Sequence, residues 1–267
     1  MILAASHWWN SAPSVAAALG YVWWMRCCLQ RAPGAGPARW VLAGVWLLHT
    51  LALGSALAQQ PLRFGFAPAL SVTAWLVLTV YALELRLYPR LQPGWQLGGL
   101  GAAAVLLAWL FPGASYPMLR SAWLPLHGAL GVASYGLLAA ALLHAWLMQR
   151  AERTMRLGLP DSHDLPLLAL ERLTFKLVNA AFVLLTCTLL AGWWFVGQLH
   201  PEGWLWSHKT LFTLLSWLLL GALLLGRWRW GWRGRRAAHM LYAAAALLLL
   251  GYVGSRFVLE VVLHRSV

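Results

Sequence analysis

The chain has 267 residues, of which 61% are hydrophobic and 10% charged, and it carries a formal net charge of +13. Soluble domains are usually about a quarter charged, so there is too little polar material to cover a water-facing surface, and a soluble globular class is excluded. The basic residues fall in short stretches between apolar runs and build no basic aromatic face, which excludes nucleic acid as their partner and leaves a polytopic membrane protein.

A helix needs about 20 mostly apolar residues to cross a bilayer. Eight stretches qualify, at 11–29, 39–58, 66–86, 95–112, 124–148, 174–198, 210–226 and 237–259. The expected fold is all-α, a membrane helix bundle of about eight spans forming a single domain over 1–267. No basic segment precedes the first apolar run, so no cleaved leader is expected. Adjacent Cys27 and Cys28, with the distant Cys187, offer neither a CxxC motif nor a disulfide framework.

Charge sets the orientation. The connections after spans one, three, five and seven carry Arg26, Arg31, Arg39, Arg86, Arg90, Arg150, Arg153, Arg156, Arg172, Lys176, Arg227, Arg229, Arg233, Arg235 and Arg236. The other side carries only Arg63, Arg120, Lys209, Arg256 and Arg265. By the positive-inside rule both termini face outward, which in a bacterium is the periplasm of the inner membrane. The connection at 149–173 is then a cytoplasmic loop of mixed charge. The one at 199–209 is a tryptophan-rich periplasmic loop.

No hydrolytic or phosphate-binding motif occurs. Carboxylates within the spans are scarce: Glu84 lies near an inner end and Glu260 near an outer one, which disfavours an ion-coupled pump. Histidine is the unusual polar residue. His49 sits at mid-depth or slightly outside in span two, and His127 opens span five at the outer boundary. His200 and His208 lie in the outer loop region. A neutral imidazole ligates iron, and two axial imidazoles can hold a haem. Below His127, Gly131, Ser134 and Tyr135 share a helical face whose small residues admit either a neighbouring helix or a flat ligand. In span eight Gly251, Gly254 and Ser255 precede Arg256, which either snorkels to water or pairs with a carboxylate. Trp204 and Trp206 form either an interfacial belt or an aromatic shelf.

Several of these residues carry a resemblance. His127 with Ser134 and Tyr135, LERLTFK at 170–176, the tryptophan-rich loop, GWRGRRA at 231–237 and GSR at 254–256 together resemble the cytochrome c assembly protein family of membrane haem-handling proteins. That family includes CcsA-type and CcmC-type members, and the pattern is most similar to its HemX/YpjD-like branch of eight-span inner-membrane proteins. His49 matches a span-two histidine of the YpjD-like branch. The CcsA-type outer loop reads approximately W-x-W-D-P-K-E. Trp204, Trp206 and Lys209 fit it, whereas Ser207, His208 and Thr210 replace its Asp, Pro and Glu. The histidine that shortly precedes GWRG in that pattern is also missing.

The resemblance implies a protein that binds or presents haem b toward the periplasm, with no covalent chemistry required of the chain. His49 and His127 are the expected axial ligands, His208 a reserve. Trp204 and Trp206 would cover the porphyrin, and Arg256 would meet a propionate. Partners would be the lipid bilayer, haem, and cytochrome c maturation or haem-synthesis proteins. Three alternatives stand beside this reading. They are a membrane regulator of haem synthesis that docks a partner through the loops around Arg153 and Arg233, a small-molecule or ion transporter, and an assembly subunit.

Overall fold

Long apolar runs in lipid must satisfy their backbone internally, and helices do so. A computed structural model describes residues 8–30, 36–59, 61–87, 95–115, 123–157, 167–194 and 208–263. Each of the eight expected spans falls on a helix. These are α1 (Trp8–Gln30), α2 (Gly36–Leu57), α3 (Phe66–Leu87), α4 (Trp95–Leu110), α5 (Trp123–Arg156), α6 (Leu167–Trp194), α7 (His208–Trp230) and α8 (Gly234–Val262). Among the described residues, α2, α3, α5, α6, α7 and α8 are long and apolar enough to cross a membrane. Helix α4, at 16 residues, is apolar but shorter. The run of α1 is interrupted by Asn10, Ser11, Pro13, Ser14 and Arg26.

Two boundaries differ from the sequence expectation. Helix α5 continues through Arg156 and α6 begins at Leu167, so most of the 149–173 connection is helical. Charge ends a membrane span but not a helix, and Gln149–Arg156 is rich in good helix formers. Helix α8 also departs from regularity. It is α-helical from Gly234 to Leu249, then takes π turns over Leu250–Gly254 and Val258–Val262.

The chain divides into two compact units. The first contains α1–α4 and Leu259–Val267, and the second runs from Leu119 to Val258. In the first, α1 packs against α2 and α4, and α3 against α2 and α4. Gly98 and Gly101 make the groove on α4 that receives Trp24 and Tyr21. A Cβ on Gly101 would lie 2.8 Å from the Tyr21 ring, and one on Gly98 3.1 Å from that of Trp24. Both aromatic side chains are fully buried. A short antiparallel pair, β1 (Arg63–Phe64) with β2 (Ala114–Ser115), joins the ends of α3 and α4. The Glu260 carboxylate rests on it, where a Cβ on Gly65 would lie 2.6 Å away.

In the second unit α5, α6, α7 and α8 enclose a core of Leu138, Ala141, Val178, Leu185, Leu220 and Leu241. Small residues bring the backbones close, and polar side chains bond across. Ser216 donates to the Ala244 carbonyl at 2.8 Å, and Trp217 donates through Nε1 to Thr186 Oγ1 at 2.9 Å. Leu168, Val183, Leu190, Leu218 and Leu225 face outward, as lipid-facing positions do.

Candidate functional site: two histidines and two cations

Val45, His49 and Ala52 are buried at successive helical spacings on α2, so the imidazole faces the interior of the first unit. It is fully enclosed there. The Tyr21 hydroxyl lies 2.8 Å from Nδ1, and Ser71 Oγ lies 2.9 Å from Nε2. A neutral imidazole donates through one nitrogen and accepts through the other, so the two hydroxyls take opposite roles. The Tyr21 ring meets the imidazole edge-on, with centroids 5.6 Å apart. Beside it, Trp46 and Trp75 stack at 5.3 Å. Each donates from Nε1 to a threonine of the other helix, Trp46 to Thr79 Oγ1 at 2.8 Å and Trp75 to Thr50 Oγ1 at 2.9 Å. His49 is therefore a fully bonded bridge among α1, α2 and α3.

His127 is the opposite case. It stands near the start of α5, half-buried, with Gly192 of α6 against the ring. A Cβ on Gly192 would lie 3.2 Å from Cε1 and 3.7 Å from Nδ1. Nδ1 is buried and has no hydrogen-bond partner among the described residues, although the Thr188 main chain lies beside the ring. The small face below it is occupied by protein. Gly131 opposes the Thr188 methyl, Ser134 donates to its own helix at Leu130, and the Tyr135 hydroxyl donates to the Leu248 carbonyl on α8. Of the two readings open to that face, the structure shows the helix contact.

Arg256 is buried near the end of α8 and lies close enough to Lys209, in the first turn of α7, to feel its charge. His208 is exposed. Trp204 and Trp206, like most of the 199–209 loop, lie outside the described residues, as do His7, His163, His200 and His264. Among the described residues no three His, Cys, Asp or Glu side chains gather as a zinc-type ligand set would.

Sequence reasoning missed a clasp at the other end of the second unit. Arg227 Nη1 donates to Glu171 Oε1 at 2.6 Å, and Arg233 Nε approaches the same oxygen at 3.5 Å. The Arg227 guanidinium also lies 3.5 Å over the Phe175 ring. Gly231 and Gly234 both hold positive φ, at 66° and 58°, so the turn between them folds Trp232 back onto Gly226. LERLTFK and GWRGRRA, remote in sequence, are thus two halves of one contact.

The family described as "Cytochrome C assembly protein" matches residues 39–263. An Azospirillum brasilense protein, described as an uncharacterized 28.8 kDa protein in the nifR3-like 5' region, is 35% identical over 247 residues, covering 86% of this chain and 83% of that one. Cytochrome c biogenesis protein CcsA of Synechococcus sp. (strain CC9902) is 29% identical over 162 residues, 52% of this chain and 53% of that protein. Inner membrane protein YpjD of Escherichia coli (strain K12) is 30% identical over 138 residues, 51% of this chain and 52% of that protein. The matches to these last two span about half the length of each. No solved structure matches the chain.

Proposed function

The chain belongs to the Cytochrome C assembly protein family, and from that membership we propose that it binds or presents haem in a bacterial inner membrane, with both termini on the periplasmic side. Family membership supports the coarser role, one related to cytochrome c assembly. The role we propose is binding and presentation without covalent catalysis by the chain.

The observation that carries haem binding is His127. Its Nδ1 is a buried polar atom without a hydrogen bond among the described residues, on a half-buried ring beside the Thr188 main chain. Histidines that ligate metals turn their second nitrogen to a carbonyl or carboxylate. Nδ1–H directed at the Thr188 carbonyl would fix this ring and leave Nε2 for iron. His49 fits less readily, because ligation through either nitrogen requires Tyr21 or Ser71 to let go. Lys209 and Arg256 would meet the propionates as a pair of cations, Trp204 and Trp206 would cover the porphyrin, and His208 is the reserve ligand. Haem b, when bound, would supply an iron that a neutral imidazole can ligate.

The test is a visible spectrum of the purified protein in mild detergent, as isolated and after haem addition, for wild type, His127→Ala and His49→Ala. A specific haem spectrum in wild type that is lost or converted to high spin in His127→Ala supports the reading. A folded wild type with no specific haem spectrum, or one unchanged in His127→Ala, overturns it.

A further inference from the structure

At the arginine-rich end of the second unit, α5 and α8 leave an open cleft of about 280 Å³, lined by Gln149, Glu152, Arg153, Arg156, Arg235 and His239. The α5 residues fall at i, i+3, i+4 and i+7, one face of the helix, and the α8 pair at i and i+4. Three guanidinium groups face one carboxylate, so the cleft is positive even with its histidine neutral. The start of α8 adds to this. Its first turn contains no acidic residue, and Arg233 at its N-cap makes no side-chain capping bond. The positive end of the helix dipole therefore meets further positive charge and no acidic residue in its own first turn. The Tyr242 hydroxyl donates to Gln149 Oε1 at 3.4 Å and joins the two helices.

The depth of the cleft says which anion it suits. Helix α5 has 34 residues. At 1.5 Å per residue it is about 51 Å long, well over the ~30 Å of a hydrocarbon core. Trp146, exposed and under the Arg150 guanidinium at 5.6 Å, marks the interfacial belt on this helix. Exposed Trp228 and Trp230 lie at the arginine-rich end of α7. The cleft begins one turn beyond Trp146, where phosphate headgroups lie.

We propose that this cleft binds the phosphate of an acidic phospholipid headgroup, with Arg153, Arg156 and Arg235 as the charged ligands and His239 as a further donor. Forked guanidinium groups suit phosphate oxygens, and basic pockets between membrane helices suit anionic headgroups. The proposal is independent of haem binding.

The experiment uses the full chain in mild detergent. Apparent Tm is measured while phosphatidylglycerol, phosphatidylcholine of the same acyl chains, or glycerol 3-phosphate is titrated in. Phosphatidylglycerol is expected to raise the midpoint by several degrees and phosphatidylcholine to leave it unmoved. Arg153→Gln/Arg235→Gln should weaken the phosphatidylglycerol effect at least tenfold in concentration. Both side chains are exposed, so the variant is expected to fold. Raising salt from 0.05 to 0.5 M on wild type alone gives a second reading and should suppress the effect. Equal shifts from the two lipids, an undiminished shift in the folded double variant, or a salt-insensitive shift overturns the proposal. Protection by glycerol 3-phosphate matching that by phosphatidylglycerol overturns the lipid assignment in favour of a soluble phosphate.

Discussion

Glu171 on α6 and Arg227 on α7 are joined at 2.6 Å, and this bond ties two stretches of sequence 56 residues apart. Both side chains are largely shielded, at 13% and 26% exposure. Hydrogen bonds to charged groups contribute about 1.5–3 kcal/mol. Glu171→Gln should lower stability by an amount in that range, read as a fall in Tm in detergent. Moderate salt should reproduce little of the loss, because a shielded pair is weakly screened.

Tyr21→Phe removes one of the two bonds to His49 and leaves a buried ring nitrogen without its partner. The expected cost is about 1–3 kcal/mol. Replacing both members, Tyr21→Phe with His49→Phe, should cost less than the sum of the single changes, since no orphaned nitrogen remains. Thermal unfolding of the four proteins decides it; strict additivity would mean that the bond carries no coupling.

Gly101→Leu tests the same centre from outside it. The new Cβ would begin 2.8 Å from the Tyr21 ring. Overpacking of this kind costs about 1–3 kcal/mol, and the displaced tyrosine should also lose its bond to His49. Tyrosine ultraviolet resonance Raman would report that loss, and a wild-type hydrogen-bonding signature would contradict the expectation.

Gly226→Ala places a methyl 2.2 Å from the Trp232 ring, closer than any contact can remain. Its Tm should fall clearly below wild type. In a chain already carrying Trp232→Ala, the same change should cost under about 1 kcal/mol, because the obstruction is gone and alanine is a better helix former than glycine.

Gly192→Val probes the proposed haem ligand without touching it. A Cβ there already crowds His127 Cε1 at 3.2 Å, and the branched side chain must tilt the ring. Haem affinity should fall about tenfold, equivalent to about 1.4 kcal/mol. An unchanged spectrum and affinity in the folded variant would mean that His127 does not hold the iron.

Much of the fold was legible because run length decides where a membrane helix forms. All eight apolar stretches correspond to helices, although the run of α4 is short. The ends of α5 and α6 were not legible, since QRAERTMR and the LLALER before span six leave the apolar core while remaining good helix. The histidines were visible as polar exceptions, but their states were not. His49 finds Tyr21 and Ser71 at separations of 28 and 22 residues, which no local pattern encodes. A buried Tyr and Ser in neighbouring apolar runs were the available hint. Gly131 and Ser134 read equally well as a ligand shelf or a helix seam, because small residues allow either approach. Glu171, an acid facing two arginines at the ends of adjacent helices, was the pairing that charge alone could have suggested.

The π turn at Leu250–Gly254 changes what an insertion or deletion means in this helix. Each residue in an α-helix advances the side chain by about 100°, and a π turn accommodates an extra residue without breaking the helix. Everything beyond it, Arg256 included, is phased differently from the stripe of Ala237, Leu241, Ala244 and Leu248. Deleting one residue within 250–254 would therefore remove the bulge and leave the phase beyond it nearly unchanged. The helix would close to its ordinary pitch with Arg256 facing much as it does now, whereas the same deletion in the α-helical part would turn Arg256 by roughly a quarter turn. Phase, as well as length, is fixed in this segment.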